Sequence, residues 1–223
     1  MTYRELINQV LIRLREDTIT SDWSGAINDA TTISAYHKVI GSLINDSKRS
    51  IESYHDWLNL RETVSINTVS GTKNYNLSSG QELKIVDVIN ATTGMHLNQV
   101  SKVYLNTVKY PTDDTGEPLY YAFNGSDASN NLKIDLSPVP TEVHTLSFDI
   151  IKGQDTLTSA ATVLKVPSQP VILGAWARAI AERGEDGGTQ SSLMAGEANE
   201  ALKQAIILDS GNTRYETDWY VSV

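Results

Sequence analysis

The sequence predicts an α+β protein in which N- and C-terminal helix pairs form a helical bundle, with a central antiparallel β insert of sandwich or barrel-like form projecting from it. Three observations predict it. Apolar residues recur at helical spacing as far as Leu58, alternate at a period of two from residue 60, and return to helical spacing after Pro167. With 223 residues, 40% of them hydrophobic and 20% charged, the chain can bury a core of that kind.

The first helix opens on Thr2-Tyr3-Arg4-Glu5, a capping box, and Leu6, Ile7, Val10, Leu11 and Leu14 place it over residues 3–15. Residues 16–31 carry Thr, Ser, Asp and Gly without a period and read as a loop. A longer helix follows, with Tyr36, Val39, Ile40, Leu43, Ile44, Ser47, Ile51, Tyr54 and Leu58 on one stripe. Lys38, Asn45, Lys48, Arg49 and Glu52 fall on the opposite face, which is expected to meet solvent, and the helix is expected to end near Trp57.

Strands are expected at Thr63–Val69 and Tyr75–Leu77, joined by a turn at Gly71-Thr72, then at Leu83–Asn90 and Met95–Val100 around Thr92-Thr93-Gly94. Residues 101–110 read as a short helix. Leu119–Phe123, Leu132–Leu136 and His144–Ile151 complete the strand set. Ser168 and Pro170 start a helix with Ile172, Leu173, Trp176, Ala179 and Ile180 inward, and Gly184 ends it. Thr189–Asp209 forms the last helix, with Leu193, Met194, Ala198, Ala201, Leu202, Ala205 and Ile206 inward. The predicted domains are therefore residues 1–59 with 167–209 (helical), residues 60–166 (β-rich insert) and a C-terminal arm at 210–223.

Composition excludes several classes of chemistry. The absence of cysteine removes disulfides and thiolate metal sites. His37, His55, His96 and His144 show no zinc-ligand spacing, and each is expected to be structural or exposed. There is no G-x-S-x-G elbow, P-loop or dinucleotide fingerprint. Glu185-Asp186-Gly187-Gly188 lacks the alternating acids of a calcium loop and reads as a polar connection between helices. No catalytic, cofactor-binding or metal site is predicted.

A net charge of −9 argues against a nucleic-acid grip, although Lys48-Arg49 and Lys102–Lys109 leave room for a local basic patch. Tyr120, Tyr121 and Phe123 could stack bases, but their surroundings from Asp113 to Asp127 are acidic, so core packing or protein contact is the expected use. No apolar run of about 18 residues spans a membrane. The N-terminal segment has no basic-then-apolar signal pattern, so no secretory signal is expected, in keeping with synthesis in a cytoplasm.

Two segments carry a family resemblance. Val166-Pro167-Ser168-Gln169-Pro170-Val171-Ile172-Leu173-Gly174-Ala175-Trp176-Ala177-Arg178-Ala179-Ile180-Ala181-Glu182-Arg183-Gly184-Glu185-Asp186-Gly187-Gly188 resembles a stretch of the head-to-tail adaptor proteins of T7-like podophages, also called tail tubular protein A. The stretch from Ile44 to Trp57 is similar to the second helix of the same proteins, where a tryptophan precedes the first strand.

The resemblance implies a non-enzymatic structural protein of the virion neck, between head and tail. It implies a ring of this chain, typically twelve copies, docked under the portal protein. The helical part would face the portal, the β part would meet the tail nozzle protein or the tail fibres, and DNA would pass through the lumen. Alternatives are a tail-associated binding module or enzyme fragment, another neck or head-completion protein, and an assembly factor absent from the finished particle. Arg178, Arg183, Tyr215, Trp219 and Tyr220 are the candidate interface residues. The aromatic arm would seek cover from a neighbour or from its own subunit. One arginine would pair with Glu182 or Glu185 of a neighbouring subunit, the alternatives being an intrachain pair or a solvated side chain.

Overall fold

The computed structural model describes residues 1–77, 83–109, 114–184 and 188–212. The chain forms two compact units. One contains Met1–Leu60 with the described part of Gly153–Val223, and the other is Arg61–Lys152.

In the first unit, helix α1 spans Tyr3–Arg13 and α2 spans Ala35–Glu52. Helix α1 starts as its sequence dictates. Thr2 Oγ1 accepts from the Glu5 N–H, and the Thr2 N–H donates to Glu5 Oε2 at 2.8 Å. That backbone hydrogen bond is the main cause holding the Glu5 carboxyl below its usual range. The helix stops two residues short of the expected end, because Arg15 takes a left-handed conformation (φ 59°). Helix α2 likewise stops at Glu52, ahead of Trp57, and leaves Tyr54 65% exposed rather than inward.

The larger correction concerns the polar face of α2. Asn45 and Lys48, expected in solvent, are buried, Lys48 completely. The returning chain covers them. Lys48 Nζ donates to Glu52 Oε2 at 3.1 Å and to the Gln154 carbonyl, while Glu52 Oε1 accepts from the Gln154 N–H at 3.2 Å. One turn earlier, Asn45 Oδ1 accepts from the Leu157 N–H at 2.9 Å, and its Nδ2 donates to the Leu157 carbonyl at 3.1 Å. Arg49 extends the same seam to Thr156 Oγ1 at 3.0 Å. The Lys48-Arg49 patch is therefore used inside the fold.

The loop before α2 is pinned as well. Trp23 Nε1 donates to the Thr158 carbonyl at 2.8 Å, and its ring meets Tyr3 edge-on at 5.9 Å. Burial raises the Tyr3 phenol well above its usual pKa, against a smaller opposing effect of its hydrogen bond from Asn45.

Helix α4 spans Ser168–Arg183 and packs against α1, α2 and the last helix, α5 (Thr189–Asn212). Ser168 is its first helical residue and Pro167 the cap, so no side chain caps this end. Gly184 (φ 65°) ends it in the left-handed conformation a glycine permits. Helix α5 continues to Asn212, through the start of the segment expected to be an arm.

The second unit holds β1 (Arg61–Asn67), β2 (Asn74–Leu77), β3 (Leu83–Asn90), β4 (Met95–His96) and β5 (Asn98–Gln99). A one-turn helix, α3 (Lys102–Tyr104), precedes β6 (Thr115–Gly116), β7 (Tyr120–Ser126), β8 (Leu132–Ser137), β9 (Val139–Pro140) and β10 (Thr145–Lys152). Two four-stranded sheets result, in the orders β1-β10-β3-β4 and β2-β8-β7-β5. Their inner faces share one core, including Leu77, Val88, Tyr121, Ile134, Leu136 and Phe148.

This is a mixed α+β fold with antiparallel sheets, and among the described residues no sheet closes into a barrel. The expected hairpin between the first two strands does not form. β1 pairs with β10 and β2 with β8, so the turn at Gly71 (φ 75°) passes the chain from one sheet to the other. Parallel pairing joins β5 to β7 and β6 to β9.

Two stability outcomes follow from the helical unit. Glu52→Ala strands the buried Lys48 ammonium, and chemical denaturation should show a loss of about 3–5 kcal/mol. Lys48→Met combined with Glu52→Leu should lose less, since no charge is then buried alone. At Gly41, a Cβ would stand 2.5 Å from Tyr3 Oη and 3.1 Å from Ile27 Cδ1. Gly41→Ala should therefore cost about 1–3 kcal/mol by the same measurement, despite alanine's better helix propensity.

Candidate interaction surface

The sequence-predicted residues divide into three groups: Arg183, Arg178, and the aromatic set. Tyr215, Trp219 and Tyr220 lie outside the described residues, as does the Glu185-Asp186-Gly187 stretch of the acidic loop. Arg183 sits in the last turn of α4, where a cation complements the helix dipole. Its Nε donates to Tyr36 Oη at 2.8 Å, the guanidinium stacks over that ring at 4.9 Å, and Nη2 pairs with Glu16. The hydrogen bond it donates to Glu16, then that to Tyr36, raises the guanidinium pKa further. Arg183 thus ties α4 to the chain beyond α1 and to the first turn of α2.

Arg178 lies on another side of α4 and has a different environment. Its Nη1 is buried and makes no hydrogen bond among the described residues. It lines a cavity of about 160 Å³ between α2, α4 and α5, with Ser50, Tyr54 and Asn199 offering polar atoms and Ala177 and Leu202 apolar ones. Close approach of α2 and α4 shapes the inner wall: a Cβ on Gly174 would stand 2.4 Å from Ser47 Oγ.

A second cavity, about 540 Å³, is lined by Arg13, Leu14, Arg15, Trp176, Ile180, Arg183 and Gln190. Arg13 lies 6.0 Å from the Trp176 ring centre and donates to the Gln9 carbonyl at 2.8 Å. Sequence reasoning missed this basic pocket. Arg13 and Trp176 are distant in the chain and nothing local links them, so only the packing of α1 on α4 brings them together.

Helix α5 is the least covered element of this unit. Of its 24 residues, only Met194 and Leu202 are buried, while Leu193, Ile207 and Leu208 are 61%, 69% and 73% exposed. The expected inward position of Leu193 is therefore corrected. Two of the exposed residues adjoin each other near the C-terminal end of the helix, where its own chain leaves apolar surface in water.

Elsewhere the polar residues serve the fold. His55 Nε2 meets Asp209 Oδ2 at 2.9 Å, and the same oxygen accepts from the Leu58 N–H at 3.3 Å. His144 Nδ1 meets the buried Asn90 amide at 3.3 Å, and His96 pairs with Asp87 on the surface. Among the described residues, no group of three His, Cys, Asp or Glu side chains could hold a metal ion. Likewise no described helix is long and apolar enough to cross a membrane.

Tyr121 and Phe123 of β7 go inward, while Tyr120 on the other face is half-buried. Tyr121 is buried against Phe123 and Phe148 at ring distances of 6.1 and 6.2 Å, and burial raises its phenol pKa. Lys102, from the other basic stretch, pairs with the buried Asp135. The arrangement offers arginine-lined cavities and an apolar helix face, which are means of binding another protein.

No curated protein sequence matches the chain. The family model described as SU10 adaptor protein matches residues 1–221, nearly every residue of both units. Its members are phage structural adaptors rather than enzymes. The chain belongs to the SU10 adaptor protein family.

Proposed function

We propose that this chain is a head-to-tail adaptor that assembles as a ring, a dodecamer when complete, joining the portal protein to the tail nozzle protein and leaving a channel for DNA. The observation that carries the reading beyond family membership is α5. A 24-residue helix with two buried residues and exposed Leu193, Ile207 and Leu208 calls for cover from another subunit. In this reading the protein is the counterpart of tail tubular protein A in T7-like podophages. The helical unit would build the ring and face the portal, acting as a bundle of the terminal helices. The β unit would meet the nozzle or the tail fibres. Arg178, Arg183, Tyr215, Trp219 and Tyr220 belong to its assembly surfaces, with Arg183 acting through the helix end that it braces. The net charge of −9 suits a lumen that does not hold moving DNA, which is in transit there and is not a ligand.

Location is the first measurement. Labelled chain imaged in the intact particle should appear at one neck between head and tail, at ring-like copy number. Signal at fibre tips would favour a binding module, and absence from the particle an assembly factor. A separate outcome concerns the C-terminal segment. Deleting residues 213–223 should leave the circular dichroism and melting of the chain nearly unchanged while abolishing ring assembly on the portal, and normal assembly would remove that segment from the interface.

A further inference from the structure

We propose that the arginine-lined cavity beside Trp176 is a docking site for the exposed acidic face of α5, centred on Glu197, of a neighbouring copy of this chain. The inference rests on the ring reading above and names both sides of one contact between adjacent subunits.

The cavity concentrates positive charge in an acidic chain. Arg13, Arg15 and Arg183 line its volume of about 540 Å³, and among the described residues no carboxylate lines it. The chain as a whole has 18 lysines and arginines against 27 acids, so three guanidiniums around one cavity call for an anionic occupant. They are not equally free. Arg183 is held by Glu16 and Tyr36, and Arg13 spends Nη1 on Gln9. Arg15 is exposed and makes no hydrogen bond or ion pair among the described residues. It also holds a left-handed conformation (φ 59°) at the end of α1, where glycine is the unstrained choice. The half-buried Trp176 and Leu14 add apolar surface beside the charges, so the occupant should carry apolar groups next to its carboxylates.

The exposed face of α5 has that chemistry. Glu197 and Glu200 are exposed, with exposed Leu193 one turn before Glu197 and exposed Ile207 two turns after Glu200. Glu200 meets Lys203 at 3.6 Å, whereas Glu197 makes no hydrogen bond or ion pair among the described residues. An acid beside an exposed leucine matches an arginine in a cavity with tryptophan on its wall.

Helix geometry decides whose acids fill the cavity. Gln190 of α5 is itself part of the wall, and Met194, one turn on, packs with Ala177 and Ile180 of α4. The side of α5 that faces α4 is thus fixed, and at ~100° per residue Leu193, Glu200 and Ile207 lie on the opposite side. A chain cannot turn that face into its own cavity. The acids beyond α5 fall short as well. Asn212 lies about 33 Å along the helix from Gln190 at ~1.5 Å per residue. Asp218, the last acidic residue, follows Asn212 by six residues and extends at most about 21 Å at ~3.5 Å per residue. A contact between two different patches of one chain is heterologous, the kind that closes into a ring.

The chain contains no cysteine, so introduced thiols report without background. Full-length chain carrying Gln190→Cys, on the cavity wall, would be mixed at millimolar concentration under mild oxidant with full-length chain carrying Gln204→Cys, one turn beyond Glu200. The mixed disulfide should exceed both symmetrical ones. Arg15→Glu in the first chain should lower the mixed product about tenfold, and Glu197→Arg in the second should do the same, since each turns an attraction into a repulsion. Combining the two should restore the product, a rescue that a merely structural role would not give. Both side chains are exposed, so the melting of each variant should stay nearly unchanged.

The proposal fails if the mixed disulfide forms no better with Gln190→Cys than with a control thiol at the exposed Ser42→Cys of α2, or if exchanging the charges does not restore it. It also fails if Glu185→Gln with Asp186→Asn in the second chain lowers the yield as far as Glu197→Arg does, which would make the acidic connection between α4 and α5 the occupant. A neck location without the mixed disulfide would leave the adaptor reading in place and remove this contact alone. A mixed disulfide without a neck location would keep the contact and remove that reading.

Discussion

The helical unit depends on a buried polar seam between α2 and the chain that returns from β10. Lys48 and Glu52 form a charge pair shielded from water, and both also bond Gln154. Asn45 reads Leu157 through both of its backbone groups. Burying an ammonium is favourable only when its counter-charge and remaining donors are all satisfied, so the seam tolerates one register of residues 154–157 against α2. Leu157 and Ala160 then enter the core, the Trp23 loop is pinned through Thr158, and the N-terminus pairs with Thr162. Helix α4 follows from a fixed origin.

That arrangement explains how a unit made of two distant parts of the sequence is joined. Nonpolar packing between α2 and α4 would tolerate slippage of one side chain past another, whereas a hydrogen-bonded seam does not. It also leaves α5 dependent on α4 for most of its cover, with the His55–Asp209 contact and the Leu58 N–H holding its distal part. The two arginines of α4 answer to the same geometry. Arg183 is consumed by Glu16 and Tyr36, while Arg178, five residues earlier, lines the cavity between α2, α4 and α5.

The features missed in sequence share a physical cause. Lys48, Asn45 and Glu52 stand at polar positions of an amphipathic pattern, and nothing in that pattern distinguishes a solvated charge from one covered by a chain segment a hundred residues later. The turn at Gly71 was legible, but the partners of the strands it joins were not, because pairing is decided by which sheet can bury each strand's apolar face. Arg13 and Trp176 meet only through helix packing. Arg183 and Arg178 were legible as a pair, but their difference was not, since the number of acceptors within reach is a property of the neighbours.

The sequence by itself determined where the period of the chain changes, the capping box at Thr2, the stop at Gly184, the alternation of β10 and the absence of cysteine chemistry. These are local: each follows from the conformational preferences of a few adjacent residues. Only the tertiary structure decided the exchange of strands between two sheets, the burial of Lys48, the exposure of α5 and the unpaired nitrogen of Arg178. Each of those depends on which distant segment excludes water from a given face, and water is excluded by packing rather than by sequence neighbours.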